Sequence, residues 1–151
     1  MSEQNKDLQS QSKDPVLYGM GDATYQGVGG HDGLVQLVDD FYDAMDTLPE
    51  AQHIRKMHPK DLTESRDKLV HFLSGWMNGP QIYGDKYGAI HIPMAHQRFK
   101  VGESERDAWL LCMQFALDKN DYPQAFKTYL MQELFRPAER IRQVSQAFHT
   151  R

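Results

Sequence analysis

Between Asp32 and Asp46 the apolar side chains fall at Leu34, Leu37, Val38, Phe41, Tyr42 and Met45. That is the i, i+3, i+4, i+7 spacing that turns one face of an α-helix toward a core. It predicts a helix from about Asp32 to Asp46, entered through the break "GVGG" at 27–30. Upstream, "VLYGMGDATY" predicts a short first helix, weakened by two glycines. Downstream, Pro49 suits the first turn of a short helix, "PEAQHIRKM", that ends before Pro59. Asp61 or Thr63 can cap the next one. Its apolar stripe is Leu69, Phe72, Leu73 and Trp76, Ser65 lies one turn before Leu69, and "MNGP" at 77–80 stops it. Residues 81–101 show no clean period and hold Gly84, Gly88 and Pro93; long irregular connections of this kind often carry function. Ser104 is the expected N-cap of a further helix, with Asp107 in its first turn and Trp109, Cys112, Met113 and Ala116 on one face. A last helix is expected from near Pro123 to about Phe148, kinked at Pro137. No alternating strand pattern or internal repeat interrupts the series, so the class is all-α.

Composition narrows the setting. A chain of 151 residues suits a single domain, expected over 15–151. Residues 1–14, "MSEQNKDLQSQSKD", contain one large apolar side chain, Leu8, and read as a disordered tail. A net charge of −4 argues against nucleic acid, whose phosphates attract basic faces. One cysteine, Cys112, allows no internal disulfide and suits a reducing compartment. No apolar run approaches the roughly 18 residues that would suggest a membrane span, and the N-terminus lacks a basic segment followed by an apolar one. A cytoplasmic protein with no membrane partner is expected.

The candidate chemistry is sparse. There is no phosphate-cradling glycine loop, CxxC, HExxH or GxSxG. None of the histidines, at 31, 53, 58, 71, 91, 96 and 149, pairs with another at the i, i+4 spacing of zinc ligands on one helical face. The Glu-x-x-His repeats of a di-metal carboxylate bundle are absent. Wide apolar helix faces with one histidine in an irregular segment can hold a haem. They equally suit a haem-free helical interaction or sensor module, and pattern alone leaves both open.

The words "VGGHDGLVQLVDDFYDAM", "LPEAQHIRKMHP", "DLTESRDKLVHFLSGWMNGP", "HQRF" and "ERDAWLLCM" occur in that order between Tyr25 and about Leu117. Together they resemble truncated haemoglobins of the second group. The resemblance implies a shortened globin fold, two crossed antiparallel helix pairs around a haem b. It places His96 as the proximal iron ligand, with His91 the nearby rival. It places Tyr42, Trp109 and His58 on the distal side as hydrogen-bonding groups, and Ser65, Lys68, Leu69, Phe72, Arg98, Phe99, Val101 and Met113 around the haem. Ser65 stands where larger globins carry a distal histidine, and a small residue there opens an entry path for ligand. Lys68 and Arg98 are the expected propionate partners, because the arginines that the family usually carries just before the proximal histidine are missing from "IHIPMAHQRF".

Oxygen, carbon monoxide and nitric oxide are the expected ligands, and several distal donors imply tight binding of oxygen, since hydrogen bonds to a charged acceptor are strong. Slow release suits sensing, storage or redox chemistry better than oxygen delivery. A haem peroxidase or nitric oxide dioxygenase is the enzymatic alternative. As nothing here resembles a reductase domain, its electrons would come from a separate reductase.

Overall fold

The computed structural model describes residues 17–88 and 99–149. The expected tail at 1–14 and the residues His91, His96 and Arg98 lie outside the described residues. Seven α-helices occur among those described: α1 (Ala23–Val28), α2 (Gly30–Thr47), α3 (Gln52–Arg55), α4 (Thr63–Trp76), α5 (Tyr83–Tyr87), α6 (Glu103–Lys119) and α7 (Gln124–His149), with a 3-10 turn at Pro49–Ala51 leading into α3. No strand occurs among the described residues.

Helix α2 forms the spine. Each apolar position that its period marks, Leu34, Leu37, Val38, Phe41, Tyr42 and Met45, is buried. It packs most extensively against α6 and α4. Leu73 of α4, Cys112, Met113, Ala116 and Leu117 of α6, and Phe126, Leu130 and Leu134 of α7 complete the same core. The α1–α2 junction is tight. Gly29 has φ 101°, and a Cβ on Gly33 would stand 1.9 Å from the Val28 carbonyl oxygen, so only glycine fits there. The Tyr122 hydroxyl closes the junction by donating to that carbonyl at 2.8 Å.

Two helix starts depart from the sequence expectation, each for a local reason. The first helix begins only at Ala23, because Gly19 and Gly21 take positive φ values of 91° and 55° that a helix cannot include. Helix α6 is capped from Gly102, not Ser104. The Glu105 carboxylate reaches back and accepts from the Gly102 N–H at 2.7 Å, half of a capping box supplied without a side chain on the cap residue. The irregular stretch after "MNGP" contains the short helix α5. At the start of α4, Asp61 accepts from the Thr63 N–H at 2.9 Å and its hydroxyl at 2.7 Å. Helix α7 runs as one segment with Pro137 inside it.

Candidate functional site

Helix α2 delivers Phe41 and Tyr42 side by side. Phe41 is wholly inside the core, and its ring lies 5.0 Å from that of Trp109 on α6. Tyr42 is 5% exposed. Its hydroxyl donates to the Ser65 carbonyl on α4 over 3.5 Å, at the weak end of hydrogen bonding. Burial pushes the Tyr42 hydroxyl well above the ordinary phenol range, and the nearby Arg66 charge offsets this only in part. The group therefore stays protonated and remains a donor.

Arg66 is a contact the sequence reading missed. Its guanidinium lies 5.7 Å from the centre of the Tyr42 ring and pairs with Asp39 at 3.0 Å and Asp43 at 3.5 Å. Both partners are on α2, so Arg66 ties α4 to the helix that carries Tyr42. A charged residue directly after Ser65, facing acids spaced i, i+4 on α2, was the available signal.

His58 follows α3, with its ring 5.8 Å from that of Tyr42 at 76°. Its Nδ1 lies 2.9 Å from the Ile54 carbonyl oxygen. A carbonyl only accepts, so Nδ1 carries a proton, and in the neutral ring Nε2 is an acceptor. His58 thus supplies a donor from Nε2 only as the imidazolium, a restriction on the third-donor role expected of it. His53, on α3, meets Glu105 at 3.1 Å, linking this region to the start of α6.

Along α4, Ser65, Leu69 and Phe72 recur at i, i+4, i+7. Leu69, Phe72, Trp109 and Leu110 are half-buried and pack against the core. Met113, one turn beyond Trp109, is completely buried in the core and differs from them in that respect. Lys68 extends outward: its ammonium lies 3.5 Å from Glu64 and 5.2 Å from the Tyr87 ring centre. Next to it, Asp67 accepts from the Tyr87 hydroxyl and from Lys86 at 2.7 Å, and the Asp67 bond pushes the Tyr87 hydroxyl up to about 12. Helix α5 is thereby fastened beside Lys68. Phe99 and Val101 are half-buried in the irregular lead-in to α6. The structure thus brings His58 and Ser65 each beside Tyr42 and joins Trp109 to Tyr42 through Phe41.

A profile of bacterial-like globins matches residues 23–143. The chain is a bacterial-like globin. Within that family it is a truncated haemoglobin of the second group. It is 34% identical over 96 residues, 64% of this chain and 70% of the relative, to the group 2 truncated hemoglobin YjbI of Bacillus subtilis (strain 168). Among solved structures, the cold-adapted truncated hemoglobin of the Antarctic marine bacterium Pseudoalteromonas haloplanktis TAC125 is 30% identical. That likeness covers 78% of this chain and 95% of the neighbour, with a TM-score of 0.74. The group II 2-on-2 hemoglobin of Agrobacterium tumefaciens is 31% identical, covering 87% and 96%, also with a TM-score of 0.74.

Haemoglobins of this family bind haem b, and the described residues suit such a group. Leu69, Phe72 and Trp109 present apolar surface from two helices, which a flat, largely apolar ring requires. Among the described residues no cluster of three or more His, Cys, Asp or Glu could hold a bare metal ion. Haem-based binding of small ligands such as oxygen follows from the family. No helix of the described residues is long and apolar enough to cross a membrane.

Proposed function

We propose that this globin holds a small diatomic ligand tightly, under hydrogen-bond control from Tyr42 and Trp109, in a sensing, storage or redox role rather than in oxygen delivery. His96 is the residue assigned to the iron. Leu69, Phe72, Phe99 and Val101 are assigned to the ring, Ser65 to the ligand entry edge, and Lys68 with Arg98 to the propionates. Met113, placed around the haem by the resemblance, is completely buried in the core. Haem b supplies an iron with an open coordination position for oxygen, carbon monoxide or nitric oxide. The protein's contribution lies in the donors around that position.

The observation that carries the reading is the state of Tyr42: a buried, protonated hydroxyl whose hydrogen bond to Ser65 is long enough to be given up. Transferring such a donor to a ligand with partial negative charge gains more than the bond it replaces. Trp109 has one N–H and no acceptor, so it acts in the same direction. A redox role would draw its electrons from a separate reductase, with the same donors polarising the bound ligand.

Absorption spectroscopy of the haem-loaded protein, reduced and then exposed to carbon monoxide or oxygen, tests the first part. An intense Soret band that shifts with ligand and changes in His96→Ala is the expected result. Stopped-flow oxygen release tests the second. A fast off-rate that neither Tyr42→Phe nor Trp109→Phe alters would rule out the tight-binding role.

A further inference from the structure

Residues 99–102 form no helix, and α6 starts only at Glu103. Backbone groups in such a segment need partners from elsewhere. Helix α7 provides them. Ser145 is 2% exposed; its hydroxyl donates to the Phe99 carbonyl at 2.9 Å and accepts from the Val101 N–H at 2.8 Å. His149, one turn later, lies with Nε2 3.1 Å from the same Phe99 carbonyl. Because that oxygen only accepts, Nε2 is the donor.

Ser145 continues the buried stripe of α7 marked by Phe126, Leu130 and Leu134, where a small polar residue gains nothing from packing. The hydroxyl thus joins α7 to an otherwise irregular strip of backbone. That strip carries Phe99 and Val101, both assigned to the haem pocket, and Phe99 follows His96 by three residues in the sequence.

We propose that Ser145, with His149, is a positioning residue for the haem pocket: α7 sets the backbone at Phe99–Val101 and, through it, how firmly the ring is held. The proposal rests on the haem-binding reading above. It gives the C-terminal half of α7 a function at a site to which none of its side chains had been assigned.

The test uses the full-length haem-loaded protein, Ser145→Ala, His149→Phe, and Glu139→Gln as a control on the same helix. Two quantities are read: the iron–histidine stretching band of the ferrous protein by resonance Raman, and the rate of haem transfer to an excess of apomyoglobin. Losing one buried hydrogen bond is expected to speed haem loss by about tenfold and to shift or broaden the band in Ser145→Ala. A smaller change in the same direction is expected in His149→Phe and none in Glu139→Gln. Wild-type band and transfer rate in Ser145→Ala overturn the proposal, as does an equal change in Glu139→Gln, which would mark general loosening of α7. If Ser145→Ala does not fold, His149→Phe decides by the same criteria. A wild-type protein that takes up no haem, seen as a missing Soret band, overturns the haem reading itself and the proposal with it.

Discussion

Tyr42 and Ser145 are both buried hydroxyls on long helices, and they are used in opposite ways. Ser145 makes two good hydrogen bonds, one as donor and one as acceptor, both to backbone. Tyr42 makes one hydrogen bond, at the limit of reach. A buried polar group that is well satisfied serves the fold, because leaving its partners unpaired is costly. One that is held protonated and only loosely satisfied is available to something else. The structural role of Ser145 and the ligand-directed role proposed for Tyr42 differ in this geometry.

The sharpest way to break the comparison is Tyr42→Phe. Oxygen release should quicken about 10- to 100-fold, the value of a hydrogen bond to a charged acceptor, while the melting temperature stays near that of the wild type. Stopped-flow release and thermal unfolding check the two halves. A large loss of stability with unchanged release would place Tyr42 with Ser145.

Ser145→Ala should behave in the reverse sense in haem-free protein. Stability falls by about 1–3 kcal/mol as the Phe99 carbonyl and Val101 N–H lose their partner, measured by the denaturant midpoint. A neutral result would mean that water satisfies those groups equally well.

Arg66→Met sharpens the Tyr42 side. It removes the cation near the ring and the pairs with Asp39 and Asp43, all partly exposed, so the expected cost is about 1 kcal/mol or less. Oxygen release should change far less than in Tyr42→Phe. A comparable acceleration would show that Arg66 sets the Tyr42 position.

The weakest effect is expected in acid, on the α7 side. Hydrogen bonds from Arg142 and then Arg106 hold the Glu139 carboxyl down at about 2 instead of 4.5. A lowered carboxylate contributes stability above its unfolded value and loses it as pH falls toward its folded one. Stability should therefore decline a little from pH 4.5 toward 2, and part of that slope should vanish in Glu139→Gln. Parallel acid titrations of the two proteins would show it.

How far the sequence reached follows the same division. Helix α2 was legible because its six apolar positions repeat along one helical face. The distal set, Tyr42, His58, Ser65 and Trp109, was named from the resemblance, and its members lie on elements whose order along the chain is plain. The start of α6 was misplaced because the cap is made by Glu105 reaching back to a glycine N–H, which leaves no serine or threonine to mark it. The tautomer of His58 depends on a carbonyl, that of Ile54, and carbonyls are the same in every residue. Ser145 was passed over for the same reason. Its partners are backbone atoms 44 and 46 residues away, and the only trace in the sequence is a polar residue on a buried stripe.

Trp109 also makes the site observable from within. The chain has two tryptophans, Trp76 and Trp109, and only Trp109 packs against Phe41 beside Tyr42. Haem absorbs where indole emits, so a ring seated against Leu69 and Phe72 would darken Trp109 by energy transfer. Fluorescence of a Trp76→Phe protein then becomes an optical gauge of the site, counting occupied molecules without any label.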